Sequence, residues 1–367
     1  MASSSMFSSL LQSLPSSKTF SFRSNSGIGI YNPVLGLLES KITSQLELLT
    51  LRDEEGTGYL SAEWLHSAMS MVLFANSSAM ASIPDIQHAL SDPGSFSKWL
   101  DECLDDNIRL LDASVIIQET LSCSAKHLAY VKAALQPSDM LISKAALQKV
   151  LYAASESGKI LQRRMVDTAS KRSKLETCGS VLRRMGEKLF SLEDSYKGNG
   201  WGVMYVAHVV TIIISAVLIT ALSVGSRRAS MTTVSISTQS KWSLALAGLQ
   251  LRIKEQVDVK RSRIQRMPYL EELENVDALV CTLGEMVSEA LQANQFPMPS
   301  EAEQQIRRAM DDLNHLSNEL EQGLSALAQD MHQLYDVLVR SRIMLLDMYP
   351  KSSSIPRFYY EQEGKQS

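Results

Sequence analysis

The chain is poor in the residues that identify a reaction. Its 367 residues include four cysteines, Cys103, Cys123, Cys178 and Cys281, with no CxxC pair and no cysteine–histidine cluster. That spacing excludes a zinc finger or a disulfide framework and fits reduced thiols used as small core residues. There is no GxSxG, no P-loop and no GxGxxG, and the six histidines (His66, His88, His127, His208, His315, His332) are scattered. A net charge of only −4 argues against a general nucleic-acid binder. No proline falls between Ser138 and Met267, no acid precedes Glu39, and no Asp, Glu, Lys or Arg falls from Val203 to Val224.

What is present is apolar periodicity. The chain is 45% hydrophobic and 21% charged, and long stretches repeat apolar residues at helical spacing. The pattern predicts an all-α fold, an elongated multi-helix bundle of long antiparallel helices around one very apolar helix. It divides into a serine-rich start (1–32), a helical region (33–198), the apolar helix (203–224), a Ser/Thr linker (225–240), a second helical region (241–348) and a tail (349–367). The start reads as a disordered arm or a transit peptide. Leu35, Leu38, Ile42, Leu46 and Leu49 line a first helix. Ser61 is placed to cap a second, which should stop near Ile83 because Pro84 follows. A long helix runs from about Ser95 towards Gln136, and another pair from Pro137 to Lys197, with a break at Gly158. The last helix carries two heptad series, Ile306, Leu313, Leu320, Leu327, Leu334 and Met310, Ser317, Leu324, Met331, Leu338. This seam suits packing within the chain's own bundle, or pairing with a second copy.

The apolar run has 22 residues, about 33 Å as a helix and enough to cross a hydrocarbon core of about 30 Å. Trp201 and Tyr205 flank one end, Arg227 and Arg228 the other. These features favour a membrane segment bounded by Val203 and Val224. The competing reading is a buried central helix. His208, Thr211 and Ser215 share one face and would need partners in lipid, and positive charge stands on both flanks.

Other motifs are weaker. Asp53, Glu55, Thr57, Gly58 and Ser61 fit early EF-hand positions, but Trp64 stands where the bidentate carboxylate belongs. The loop therefore reads as an inter-helix turn. Asp101, Glu102, Asp105, Asp106 and Asp112 form an acidic cluster, read as a solvated face beside Lys98 and Arg109. Nine Lys/Arg fall between Lys159 and Lys188, and nine between Arg227 and Arg266. Such stretches suit anionic lipid, an acidic partner or plain solvation. In "RRAS", Arg227 and Arg228 precede Ser230 as a basophilic kinase requires, which makes Ser230 a candidate phosphorylation site. The plainer reading is that the arginines end an apolar helix.

The segments "LLESKITSQLELLTL", "YLSAEWLHSAMSMVLFANSSAMASI" and "KWLDECLDDNIRLLDASVIIQETLS" resemble the plant BYPASS family. The resemblance rests on an "LSxxW" helix start and on Trp99, Leu100, Asp101, Leu104, Asp105, Asn107, Ile108, Arg109, Leu110, Leu111 and Asp112. It extends through "WGVM" over residues 33–348, while the serine-rich start departs from it. The resemblance implies a plant protein of helical build without catalytic residues, associated with root and shoot development and with restraint of a mobile root-to-shoot signal.

The resulting expectation is a non-enzymatic, membrane-associated, mostly cytosol-facing regulator with no cofactor and no metal. It would act through protein contacts, with lipid as a further partner and the Ile306–Leu338 seam available for homo-oligomers. The alternatives are a soluble cytosolic bundle acting as an adaptor in signalling, and an enzyme of signal metabolism; the alternative locations are the chloroplast and the soluble cytoplasm.

Overall fold

The computed structural model describes residues 33–54, 58–89, 93–135, 143–166, 174–196, 202–223, 233–234, 240–264 and 269–349. Among these there are nine helices and no strand: α1 (Pro33–Glu54), α2 (Ala62–Ala89), α3 (Pro93–Leu135), α4 (Lys144–Val166), α5 (Lys174–Tyr196), α6 (Gly202–Leu222), α7 (Lys241–Ile264), α8 (Glu271–Ala293) and α9 (Ser300–Asp347). The all-α bundle expected from apolar spacing is what forms. Arg227, Arg228, Ser230, Val224 and the serine-rich start lie outside the described residues, as do the side chains of Asp53, Glu55 and Thr57.

Local signals explain most helix ends. Ser61 caps α2, its hydroxyl accepting from the Trp64 amide at 3.2 Å. The stop expected at Ile83 does not occur, because α2 runs through Pro84 to Ala89. Pro84 removes one donor and lies on the exposed side, where water can take the stranded carbonyl. Ile83 and Ile86 are buried and hold the helix to the core. Gly158 likewise does not break α4, which continues to Val166. The Ser/Thr segment read as a flexible linker contains an anchor. Val234 is buried, and its amide and carbonyl are both held by the Gln250 side chain on α7, at 3.0 and 2.9 Å.

α9 has 48 residues, about 72 Å of helix, and is the spine. It runs antiparallel along α3. Asn107 donates to the Leu338 carbonyl at 3.1 Å, and Lys132 reaches Glu321 at 2.5 Å. It also lies along α2 and against α8. Every heptad residue from Ile306 to Leu338 is buried except Met310, which is partly buried against the core. The seam is thus filled by helices of its own chain. α4 packs on α8, α7 on α1, and α6 on α1, α2, α3 and α5. The helices before and after the apolar run interleave, and Asn32–Ser367 forms one compact unit.

Two positions in α9 make the packing testable. Ser317, the only polar member of the seam, is buried with its hydroxyl unpaired. Ser317→Ala should therefore raise the melting temperature, by the equivalent of about 1 kcal/mol, since an unmet buried polar group costs about 1–3 kcal/mol. Gly323 lets α9 approach the start of α2. A Cβ there would stand 2.5 Å from Ala62 Cβ. Gly323→Val should lower stability in denaturant titration by about 1–3 kcal/mol, the usual cost of overpacking.

Candidate functional site around the apolar helix

All 21 residues of α6 are buried, and the helix has a mean hydropathy of 2.3 over its most apolar window. Its twelve large aliphatic side chains are each worth about 1.5–3 kcal/mol when removed from water. At its start, Gly202 leaves the room that Leu35 of α1 fills. At its end, the Ala221 carbonyl accepts from the Leu270 amide at 2.8 Å.

The polar face of α6 meets protein. Asn76 on α2 donates to the Thr211 hydroxyl at 2.7 Å, and Thr211 donates in turn to the Ala207 carbonyl at 2.7 Å. His208 is buried, and burial depresses its pKa below the ordinary imidazole value near 6.5. The nearby Asp106 carboxylate opposes that shift and the Lys188 ammonium adds to it. Asp106, on α3, is itself buried. It lies 3.3 Å from Arg109 and 3.9 Å from Lys188 on α5. Cys103 shares this neighbourhood, its thiol pushed well up by burial and then by Asp106.

This corrects the acidic-face reading for one residue. Asp101, Asp105 and Asp112 are exposed, and Asp101 accepts from the Tyr349 hydroxyl at the end of α9. Asp106 belongs instead to the buried stripe, three residues after Cys103 and four before Leu110. That spacing was available in the sequence but was outweighed by the charge of its neighbours. Arg109 pairs with Asp106 at i,i+3, where pairing with Asp105 was expected. The cysteines also divide. Cys103 and Cys178 are buried, Cys178 with a pKa raised by burial to about 11, whereas Cys123 and Cys281 are exposed. No disulfide forms among the described residues.

A second polar knot was not anticipated. His127 Nε2 on α3 lies 3.4 Å from Ser157 Oγ on α4 and 4.0 Å from Asp277 Oδ1 on α8, and Tyr269 donates to Asp277 at 2.7 Å. A serine, a histidine and an acid suggest nucleophilic catalysis, but a relay needs serine and acid on opposite ring nitrogens. Here both stand at Nε2, and Nδ1 is buried without a partner. The adjoining cavity of about 10 Å³, lined by Val131, Ala154 and Leu283, has room for about one water. No substrate fits, so the group is a polar tie between three helices.

The turn that failed the calcium test is a structural junction. Trp64, at the position a carboxylate would need, donates to the Leu49 carbonyl at 3.0 Å and meets Tyr59 edge-on. Glu272 of α8 accepts from the Ala62 amide at 2.8 Å, Gln256 of α7 from the Tyr59 amide at 3.2 Å, and Glu271 pairs with Lys260. Burial raises the Glu272 pKa, against the pull of its own amide and that of Ala62. Among the described residues no group of three His, Cys, Asp or Glu could hold a metal. A groove of about 240 Å³ between α8 and α9 is lined by Met286, Met298, Ile306 and Gln305, with Glu289 as its one acid. Neither this groove nor the cavity at His127 touches Asp101–Asp106.

The His208 environment yields a pH dependence. The unfolded chain takes up a proton near the ordinary imidazole value, while the folded chain resists it. His208 therefore costs no stability above that value and progressively destabilises the fold as pH falls below it. His208→Leu should flatten the acid-side fall in melting temperature measured across the histidine range, and an unchanged slope would exclude this role.

No curated protein and no solved structure matches the chain. The family model described as "Protein ROH1-like" matches residues 182–349, from the second half of α5 to the end of α9.

Proposed function

We propose that the chain is a non-catalytic helical-bundle regulator of plant growth and development that acts through contacts with other proteins, and that Gly202–Leu222 is packing core. The observation that carries the second part is the burial of every α6 residue beneath α1, α2, α3 and α5. A helix crossing lipid alone bares its flank to hydrocarbon, and α6 bares none. The bond from Asn76 to Thr211 fits the same reading, since it satisfies a polar group from another helix.

The regulatory part is supported by the ROH1-like match and the BYPASS resemblance, which overlap over residues 182–348. Restraint of a mobile root-to-shoot signal is the finer role the resemblance suggests. The Ser157–His127–Asp277 group adjoins room for about one water, which supports a non-catalytic reading. Partners would use outer helix faces, because the Ile306–Leu338 seam is occupied by α2, α3 and α8.

The second reading, a membrane span, draws on the length and hydropathy of α6. It requires four helices to leave its surface. Carbonate extraction of membranes from expressing cells separates the two. The core reading expects release of folded protein without detergent, and expects deletion of 203–224 to abolish cooperative unfolding. Retention in the pellet, with the remaining helices still folded after that deletion, would overturn it.

A further inference from the structure

Burial of α6 leaves a different helix to account for the outer surface. Fourteen large hydrophobic side chains are exposed among the described residues. Leu37, Leu48 and Leu51 lie on α1, and Leu244, Leu251 and Val259 on α7, helices of only 22 and 24 residues. The two helices run in the same direction. Trp242 donates to Glu39 at 3.0 Å near one end, and Gln256 accepts from the Tyr59 amide at 3.2 Å near the other.

α7 is amphipathic in an unusual sense. Trp242, Leu246, Leu249, Ile253 and Val257 are buried on the inner side. At 100° per residue, Leu244 and Leu251 point directly away from that side, and Val259 lies about 60° round from Leu244. Their exposures are 60%, 57% and 52%, although nothing in the interior requires leucine there. Lys241 and Arg252 flank the stripe on one side and Lys254 on the other, all exposed, and no acid occurs from Lys241 to Lys254. Further along the helix Glu255 and Asp258 are exposed on the outward side, within about 40° of the leucine line, and Arg261 and Arg263 follow.

We infer that the outward face of α7 docks on an anionic lipid surface, with Leu244 and Leu251 dipping between headgroups and Lys241, Arg252 and Lys254 contacting their phosphates and carboxylates. A narrow apolar line with cationic side chains on both flanks is the pattern of a helix lying in a membrane interface. Charge weighs against a second copy meeting through the leucines, which would bring the same Lys241–Lys254 half, cationic and without an acid. The stripe also does not suit a partner helix. With Leu244 and Leu251 one heptad apart, the companion positions are Gly248 and Glu255 in one register and Ala247 and Lys254 in the other, and the next heptad position is Asp258, so no second row of large apolar residues forms knobs and holes. Gly248 stands in open space, with nothing within 4 Å of the place a Cβ would take. Near an anionic leaflet each Lys or Arg adds a modest attraction that salt screens, so a few of them give a reversible attachment that salt weakens. The inference rests on α6 being core, since a spanning α6 would hold the chain in the bilayer regardless of α7.

The test is co-sedimentation of the purified full-length chain with phosphatidylcholine vesicles, with and without phosphatidylserine. Binding is expected only with phosphatidylserine, and is expected to fall as salt rises. The double variant Leu244→Asp/Leu251→Asp should lose about tenfold or more in affinity. So should Lys241→Glu/Lys254→Glu. Because all four side chains are exposed, both variants should melt like the parent chain, which separates docking from folding. No binding to either vesicle, with the chain dispersed, would overturn the inference and leave the core reading of α6 standing. Equal binding to both vesicles, insensitive to these substitutions, would overturn both. Self-association without vesicles that Leu244→Asp abolishes, or binding of an acidic polypeptide such as polyglutamate in place of vesicles, would assign the face to another occupant and also overturn it.

Discussion

A helix without a polar face has to be covered on every side, and Gly202–Leu222 is such a helix. In water its twelve large aliphatic side chains have no solvated edge on which to rest, so coverage from one direction leaves the rest exposed. Four helices from earlier in the chain close around it. α1 contributes Leu35 at its start, α2 runs antiparallel along it, and α3 and α5 complete the wall. The long α9 then fastens the outer sides of α2 and α3, which make few contacts with each other. Much of the remaining architecture follows from the need to enclose α6.

Enclosure alone does not set register, because aliphatic surfaces slide past one another at small cost. Polar contacts in the core supply it. Asn76 and Thr211 match one turn of α2 to one turn of α6, and Asp106 draws Lys188 of α5 towards α3 beside His208. His66 and the buried Asp330 do the same for α2 and α9 at 2.6 Å. Burial raises the Asp330 pKa and its contact with His66 opposes the rise. Such groups are costly if a partner is missing, which penalises a shifted packing more than the correct one.

The same enclosure relocates the question of membrane contact. Hydropathy and length alone point to α6, while the exposed leucines and cationic flanks on which the proposed lipid contact rests lie on α7, whose overall composition is unremarkable because its inner face also packs. A hydropathy window averages the two faces of a helix and sees α6 far more readily than α7. The Ile306–Leu338 seam presents a similar ambiguity, since the heptad pattern is the same whether the partner helix comes from this chain or another.

Helix type, the Ser61 cap and the buried faces of α1 and α9 were all legible in the sequence, because they depend on neighbours within a turn or two. Pro84, Gly158, Val234 and Asp106 were misread locally. At Pro84, Val234 and Asp106 distant packing outweighs a local preference of about 1–3 kcal/mol: Ile83 and Ile86 hold α2 through its proline, Gln250 captures Val234, and Lys188 joins Arg109 in compensating a buried carboxylate. The sequence by itself determined that residues 203–222 form a helix too apolar to face water. Only the tertiary structure decided what covers it, because an apolar surface carries no direction and accepts protein as readily as lipid until the surrounding helices are placed.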